Sequence, residues 1–252
     1  MIQVSGLYKS FEGNDVLKDI TTRFEPGMTN LIIGQSGSGK TVLLKCLVGL
    51  FRPEKGSICY DNREFLTLSD SEVKRLRMEM GMIFQGAALF DSLSVLDNVL
   101  FPLRMFSRMT LKEKMKRAMF CLERVNLTNA ENLFPSEISG GMKKRVAIAR
   151  AIALNPKYLF CDEPNSGLDP KTSLVIDELI SDITKEYNMT TIINTHDMNS
   201  VMGIGDHILF INKGIAAWEG DKSQVMHSDN TLLNEFIFAS DLFKKVRDAE
   251  DC

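Results

Sequence analysis

The chain has no long apolar run, little net charge and few cysteines. No apolar stretch approaches the roughly 18 consecutive residues that indicate a membrane-spanning helix. The formal net charge is −3, so the basic excess that is typical of nucleic-acid-binding proteins is missing. The five cysteines are scattered without a Cys-x-x-Cys pair, which favours free thiols in a reducing compartment. We therefore expect a cytoplasmic protein without nucleic acid as a partner, and we expect no secretory signal because the first residues lack a basic segment followed by an apolar one.

The composition that remains is that of an ordinary globular protein, with 44% hydrophobic and 25% charged residues. Short apolar runs alternate with helical patterns, which predicts a largely parallel α/β core. We predict strands near residues 2–7, 17–24, 29–33, 57–60, 82–84, 158–161, 190–194, 207–211 and 215–219. Short turns link the first two strands and precede the last one, so we expect these three to pair in antiparallel fashion.

The region between residues 91 and 153 has helical spacing and no strand pattern. Thr110 and Glu113 form a capping box that predicts a helix to about residue 125, and a second helix starts near Ser139. We predict one domain over residues 1–252, in which a helical insert of about residues 91–153 interrupts a core of about residues 1–90 and 154–220. Residues 221–252 are predicted to form a mostly helical tail.

A glycine-rich segment is the most informative part of the chain. Eight consecutive residues fit G-x-x-x-x-G-K-[ST], the pattern of loops that wrap nucleotide phosphates: Gly34, Gln35, Ser36, Gly37, Ser38, Gly39, Lys40 and Thr41. A predicted strand precedes the segment and a predicted helix over residues 41–50 follows it, which is the context the motif requires. We expect Lys40 to reach the β- and γ-phosphates of ATP, Thr41 to hold Mg²⁺, and Val42 to contact the nucleotide.

A second group of residues supports the same chemistry. An apolar strand ends in Asp162 and Glu163. In enzymes with such a glycine loop, an acid at the end of a neighbouring strand holds Mg²⁺, and we expect Asp162 to do so. Glu163 would then lie beside the γ-phosphate, where a carboxylate can orient or deprotonate the attacking water. The alternative for Glu163 is a favourable charge at a helix N-terminus.

A third group opens the alanine-rich helix, where Ser139 is followed by Gly140 and Gly141. A serine N-cap with two glycines offers backbone N–H groups and a helix dipole to an anion. Without the other two groups, a simply capped helix is the better interpretation. With them, the three groups together are typical of one family.

In the order and spacing of these motifs, the chain resembles the ATP-binding subunits of ABC transporters over about residues 2–225. Residues 34–41 resemble the Walker A motif, residues 138–142 the ABC signature, residues 159–163 Walker B, and residues 166–169 the D-loop that contains Asp169. Gln85 resembles the Q-loop glutamine, and His196 the switch histidine. The resemblance implies an α/β fold with a RecA-like P-loop NTPase core, an antiparallel β subdomain and an inserted α-helical subdomain.

The resemblance also implies roles for single residues. Glu163, His196 and Gln85 would be catalytic, Gln85 would join Thr41 and Asp162 around Mg²⁺, and Asp169 would contact the nucleotide site. Phe11 stands where the family places an aromatic ring under adenine, with Tyr8 as the neighbouring alternative and a core position as the other interpretation. His207 and His227 are assigned no role.

In the family, the signature serine and glycines reach the nucleotide that a second copy holds, so the resemblance implies a head-to-tail dimer with two ATP molecules between the copies. The chain departs from the usual pattern at two positions. Met142 stands where glutamine is usual, and a thioether cannot replace the hydrogen bonds of an amide. Asn165 stands where threonine is frequent.

Met142 and the sequence of residues 90–99 resemble one subgroup, the ATPases of bacterial Mla/Mce-type phospholipid-transport systems. This implies an integral-membrane permease and an Mce-domain protein as partners, and a peripheral location on the cytoplasmic face of the bacterial inner membrane. The permease would insert a cytoplasmic helix into an apolar groove, for which the candidates are Phe84, Leu89, Phe90, Leu93, Phe101 and Met105. The alternatives are an amino-acid or other small-solute importer ATPase and a non-transport ABC ATPase of the iron–sulfur-assembly type.

Overall fold

The computed structural model describes residues 1–238, and the predicted tail beyond residue 238 lies outside the described residues. The strands in chain order are β1 (Ile2–Phe11), β2 (Asn14–Phe24), β3 (Thr29–Ile33), β4 (Lys55–Tyr60), β5 (Arg63–Glu64), β6 (Met80–Ile83), β7 (Tyr158–Asp162), β8 (Thr190–Asn194), β9 (His207–Asn212) and β10 (Ile215–Gly220). The helices are α1 (Lys40–Leu47), α2 (Asp70–Met78), α3 (Val95–Phe106), α4 (Leu111–Arg124), α5 (Gly140–Ile152), α6 (Pro170–Glu186), α7 (Met198–Ile204), α8 (Lys222–Val225) and α9 (Thr231–Ile237). Within residues 1–238, none of the helices combines the length and the apolar character needed to cross a bilayer.

The strands form two sheets. The smaller is antiparallel, with the order β2-β1-β4-β5. The larger has the order β10-β9-β3-β8-β7-β6, and all its neighbouring pairs are parallel except β9 with β10. The carboxyl ends of β3, β7 and β8 therefore lie at one edge of the sheet, where ligands of open parallel sheets bind.

Two apolar cores lie on opposite faces of the larger sheet. Alternate residues of β3 divide between them, because successive side chains of a strand point to opposite faces. Leu31 and Ile33 belong to the core shared with α3–α7, while Ile32 belongs to the core shared with the smaller sheet and α1. The central strand is buried on both faces, which fixes its register and the position of the glycine loop that follows it.

The helical insert consists of α3, α4 and α5, which pack on one another. Thr110 and Glu113 form the predicted capping box of α4. Pro102 lies inside α3. The limits of the predicted parts of the domain, near residues 90, 153 and 220, stay a prediction.

Several predicted element ends are wrong by a few residues, and β1, which runs to Phe11 rather than to residue 7, differs most. Helix α1 ends at Leu47 rather than at residue 50. Gly49 adopts a left-handed backbone conformation with a φ of +74°, which ends a right-handed helix. Strand β6 pairs with β7 from Met80 to Ile83, so it begins two residues before the predicted start.

Candidate functional site

The glycine loop joins β3 to α1 and forms one wall of a cavity of about 690 Å³ at the carboxyl edge of the larger sheet. A Cβ on Gly34 would lie 2.2 Å from the Ile211 carbonyl oxygen, so no larger residue fits there. Gly39 has a φ of +111° and caps α1 without a side-chain hydrogen bond. The first N–H groups of α1 are therefore available to an anion.

Most of the predicted loop residues line this cavity, together with acids and a histidine from neighbouring strands: Gln35, Ser36, Gly37, Gly39, Lys40, Thr41, Val42, Gln85, Asp162, Glu163 and His196. Gly34 and Ser38 lie behind the surface and shape it. Within residues 1–238, the Ser38 hydroxyl is buried without a hydrogen-bond partner. The Ser38 backbone carbonyl accepts a hydrogen bond from the Gly214 N–H.

Lys40 is the cation of the cavity, and it is 7% exposed. Its ammonium donates to the carbonyl oxygens of Gly34 at 2.8 Å and Gln35 at 3.1 Å. Burial lowers the pKa of Lys40, while the nearby carboxylates of Glu163 and Asp162 oppose that shift. An anion in the cavity would stabilise the charged form further, so the side chain suits binding of phosphate groups.

Asp162, Thr41 and Asn194 meet at the ends of their elements. The Thr41 hydroxyl lies 3.4 Å from Asp162 Oδ1, and the Asn194 amide donates to the same oxygen at 3.1 Å. Within residues 1–238, no group of three or more acids, histidines or cysteines could hold a metal. One carboxylate beside one hydroxyl fits Mg²⁺, which usually takes one or two carboxylates and completes its shell with water and phosphate oxygens.

Glu163 and His196 form a hydrogen-bonded pair. His196 Nδ1 lies 2.9 Å from Oε1 and 2.7 Å from Oε2 of Glu163. The Glu163 backbone has a φ of +50°, a conformation that is costly for a residue with a side chain and is found preferentially at functional sites. The Glu163 N–H donates to the Asn194 carbonyl at 3.0 Å, which holds the residue in this conformation.

Gln85 approaches the cavity from the segment after β6, and its side-chain amide donates to the Ser166 hydroxyl at 3.1 Å. Two cations of α5 hold this segment. The Lys144 ammonium donates to the Gln85 carbonyl. The Arg150 guanidinium donates to the carbonyls of Ala87 and Ala88, each at 2.8 Å, where both alanines have positive φ.

The residues of the predicted signature do not join this cavity. Ser139 caps α5, and its hydroxyl accepts from the Met142 N–H at 3.2 Å. A Cβ on Gly141 would lie 2.8 Å from a Thr172 methyl group, so close packing on α6 requires glycine there. Among the described residues that line the cavity, residues 139–141 do not occur. Asp169 caps α6 and likewise lies outside the cavity lining.

Phe11 is also absent from the cavity lining of residues 1–238. Its ring makes an edge contact with Phe51 at a centroid distance of 5.1 Å, and the Lys9 ammonium lies 4.9 Å from the ring centre. Phe11 is 38% exposed, so it is a surface aromatic and not a core residue. Tyr8 is 36% exposed, with the Lys55 ammonium 5.7 Å from its ring centre.

Two of the residues that line the cavity were not predicted from the sequence. Val16 comes from β2, and Phe236 comes from α9 near the end of the described chain. The Phe236 ring packs beside Phe210 of β9 at a centroid distance of 5.4 Å. The sequence of residues 231–237 has an apolar face, which indicates that this segment packs on the protein. The pattern does not indicate which surface it packs against.

Comparison with known proteins agrees with this geometry. The family described as "ABC transporter" matches residues 17–166. The chain is 37% identical over 236 residues to the "Probable ribonucleotide transport ATP-binding protein mkl" of Mycobacterium leprae, covering 94% of this chain and 68% of that protein. It is 38% identical over 237 residues to the "Methionine import ATP-binding protein MetN" of Clostridioides difficile, covering 94% of this chain and 74% of that protein.

A solved structure is similar as well. It is a dimeric post-hydrolysis state of the ATP-binding cassette MJ0796 bound to ADP and Pi, with a TM-score of 0.79 and 33% sequence identity over 88% of this chain and 99% of that one. The predicted fold class is confirmed. Family match, relatives and fold agree, and the chain belongs to the ABC transporter family as an ATP-binding domain.

Proposed function

We propose that the protein is the ATP-hydrolysing motor subunit of a transporter and that two copies bind two ATP molecules between them. The observation that carries the proposal is the convergence of Lys40, Asp162, Glu163 and His196 on one cavity beside the open N-terminus of α1. A phosphate-binding cation, a metal-binding acid and a hydrogen-bonded acid–histidine pair are the groups that hydrolysis of a triphosphate requires.

In the proposed mechanism, the N–H groups of the glycine loop and the Lys40 ammonium bind the phosphates. Thr41, Asp162 and Gln85 would hold Mg²⁺, which would neutralise charge that develops on the phosphate oxygens. Glu163 accepts a proton from the attacking water, and His196 holds the carboxylate in place. The Glu163 side chain is 17% exposed, so it stays accessible to water while contact with bulk solvent is limited.

The position of Ser139 supports a head-to-tail dimer. Its helix α5 opens at the surface, away from the cavity of its own chain, and the exposed Ser139 and Gly140 at this end suit contact with an anion. In the dimer, Ser139 and the glycines after it would contact the γ-phosphate of the ATP bound to the second copy. The segment around Asp169 would lie at the same interface. The solved relative being a dimer supports this arrangement.

An apolar groove of about 740 Å³ supports a membrane partner. It lies between β6, α2 and α3, and Phe84, Phe90 and Phe101 line it as expected. Leu89 packs against the core instead, and Leu93 and Met105 are absent from the lining within the described residues. We propose that a cytoplasmic helix of an integral-membrane permease binds here, so the motor would lie peripherally on the cytoplasmic face of the inner membrane.

For the cargo, we propose phospholipid moved between bacterial membranes with an Mce-domain protein as a further partner, on the resemblance of Met142 and residues 90–99. A small solute is the second candidate, and the similarity to the MetN importer favours it specifically. Purification of the motor with its permease decides between them. Bound phospholipid and stimulation of ATPase by phospholipid support the first, whereas stimulation by an amino acid alone overturns it.

The ATPase proposal is tested with Glu163→Gln. We expect turnover to fall by about 10²–10⁴-fold, because the proton acceptor is lost. ATP binding should persist, and scattering with ATP and Mg²⁺ should show a dimer. Glu123→Gln, an exposed change on α4, is the control. Near-normal turnover of Glu163→Gln would contradict the assignment of the general base, and a monomer under all these conditions would contradict the dimer.

A further inference from the structure

A cluster of three polar side chains, two of them buried, lies behind the Glu163–His196 pair. The Asn165 amide donates to Asp177 Oδ1 at 2.7 Å and approaches the Ser200 hydroxyl at 3.2 Å. The Ser200 hydroxyl donates to Asp177 Oδ2 at 2.7 Å. Both carboxylate oxygens of Asp177 are therefore used, each by a different partner.

The cluster joins the two segments that carry the pair. Asn165 lies two residues after Glu163, in a turn closed by a hydrogen bond from the Ser166 N–H to the Glu163 carbonyl. Ser200 lies four residues after His196, in helix α7. With Asp177 of α6 between them, the contacts close a ring that contains the Glu163–His196 hydrogen bond on one side and the cluster on the other.

Asp177 is an unfavourable residue for the stability of the fold. It is 3% exposed, and within residues 1–238 no cation forms an ion pair with it. Burial raises the pKa of Asp177 to about 6, and the hydrogen bonds from Ser200 and Asn165 oppose the rise. The charges of Asp197, the N-cap of α7, and of Glu178 on α6 add to it. The thiol of Cys161 on β7 is a further titratable group near Asp177. A buried carboxylate without a counter-ion destabilises the folded state, so its presence needs another reason.

Geometry supplies that reason. A single carboxylate accepts at once from one donor in the turn after β7 and one in helix α7, which a neutral side chain of this size does less well. Asn165 is suited to the partner role, since its amide offers two N–H groups where the threonine that is frequent in the family offers one hydroxyl. Its own Oδ1 is buried and has no hydrogen-bond partner among the described residues, and reversing the amide would turn that oxygen towards the carboxylate.

We propose that Asn165, Asp177 and Ser200 are positioning residues that fix the spacing between Glu163 and His196. The inference rests on the proposed ATPase function, since the pair is the one that hydrolysis would use. The cluster touches neither nucleotide nor metal in this assignment. It acts by holding the turn after β7 and helix α7 at a fixed distance.

The test compares ATP turnover and thermal unfolding of Asp177→Asn, Ser200→Ala and the double variant. Asp182→Asn makes the same chemical change at an exposed position of the same helix and is the matched control. We expect kcat of Asp177→Asn to fall about tenfold, because small misplacement of catalytic groups is costly. ATP affinity should stay unchanged. Ser200→Ala should show a similar loss, and the double variant should be no slower than Asp177→Asn, because the residues act as one unit.

Stability separates positioning from a merely structural role. At pH 7.5 the carboxylate is charged in both the folded and the unfolded chain, so the full cost of burying it is present. Asp177→Asn removes that cost and should raise Tm by about 5 °C. As pH falls from about 6 to about 4, folded Asp177 takes up a proton before the unfolded chain does, so the Tm gain should disappear.

The outcomes are distinct. A slower Asp177→Asn enzyme with a higher Tm supports the inference. Unchanged kcat in both single variants overturns it, and so does a slower enzyme with a lower Tm at every pH, which would indicate a structural role. If Asp177→Asn does not fold, Ser200→Ala alone decides by the same kcat criterion. A wild-type protein that hydrolyses no ATP would instead contradict the proposed function.

Discussion

The polar cavity and the apolar groove are similar in volume, about 690 and 740 Å³, but opposite in chemistry. Lys40, acids and open N–H groups line the cavity, which suits an anion. Phenylalanines and methionines, several of them exposed, line the groove, which suits an apolar helix. The segment after β6 contributes to both, because Gln85 faces the cavity while Phe84 and Phe90 face the groove.

One short segment thus borders two surfaces of unlike chemistry. Lys144 and Arg150 hold its carbonyls, and its two alanines adopt left-handed backbone conformations. Such conformations persist only where the surroundings determine them. The comparison indicates that α5, rather than the segment's own propensity, sets the relation between cavity and groove.

The largest expected effect comes from breaking the cavity alone. Lys40→Ala removes the buried cation that faces the phosphates, so ATP affinity should fall at least about 100-fold. Calorimetry with ATP measures it. Lys116→Ala, at an exposed site on α4, should bind ATP normally. Unchanged affinity of Lys40→Ala would show that the cavity is not the phosphate site.

Breaking the groove alone should leave the cavity intact. The double change Phe84→Ala with Phe90→Ala removes two apolar side chains from the groove, and binding to the proposed permease should weaken about 30-fold, as for central interface residues. ATP affinity of the isolated subunit should not change. Titration of the detergent-solubilised permease measures the effect, and Phe120→Ala on the exposed face of α4 is the control. If the double variant bound the permease as tightly as the wild type, the groove would not be part of the interface.

A smaller effect should follow from loosening the connection between the two. Lys144→Met keeps the length of a buried side chain but loses the hydrogen bond to the Gln85 carbonyl. We expect kcat to fall roughly fivefold with unchanged ATP affinity, because Gln85 would lose its fixed position. Lys144→Arg should retain most activity, since it keeps a cationic donor. Equal loss in both variants would contradict a role for that hydrogen bond.

The smallest effect is expected for Met142→Gln, which restores the residue that is usual in the family. Met142 is half-buried and packs against the larger apolar core. The change should alter the free energy of unfolding by less than about 1 kcal/mol and ATP turnover by less than about threefold. Denaturant titration and steady-state ATPase measure both. A tenfold gain in turnover would show that the thioether limits the composite site.

The sequence predicted the parts of the molecule that depend on local order. The strand, glycine loop and helix around Lys40 follow from spacing, as does the end of β7 at Asp162. Parallel strands with buried faces carry a strong periodic signal, so their carboxyl ends, and the residues there, could be expected to meet. The wrong ends of α1 and β6 lie where a glycine or a neighbouring strand decides the boundary.

Contacts between distant segments could not be predicted. Phe236 reaches the cavity from the other end of the described chain. Arg150 donates to backbone carbonyls, which every residue has, so the sequence carries no sign of this contact. Asn165 stood out only as a departure from the family, and nothing in the chain pointed to Asp177 as its partner. Such contacts depend on how helices pack, which local patterns do not encode.

Helix α5 carries Ser139 at its first turn and Arg150 near its last, over 13 residues and roughly 20 Å. An uninterrupted helix of this length is stiff. A displacement of its N-terminal end, caused by the phosphate of ATP bound to a second copy, would therefore be transmitted to its C-terminal end as a rigid-body movement. Because Arg150 lines the groove, the wall of the groove would shift as well, and nucleotide binding would change the surface offered to a protein bound in the groove.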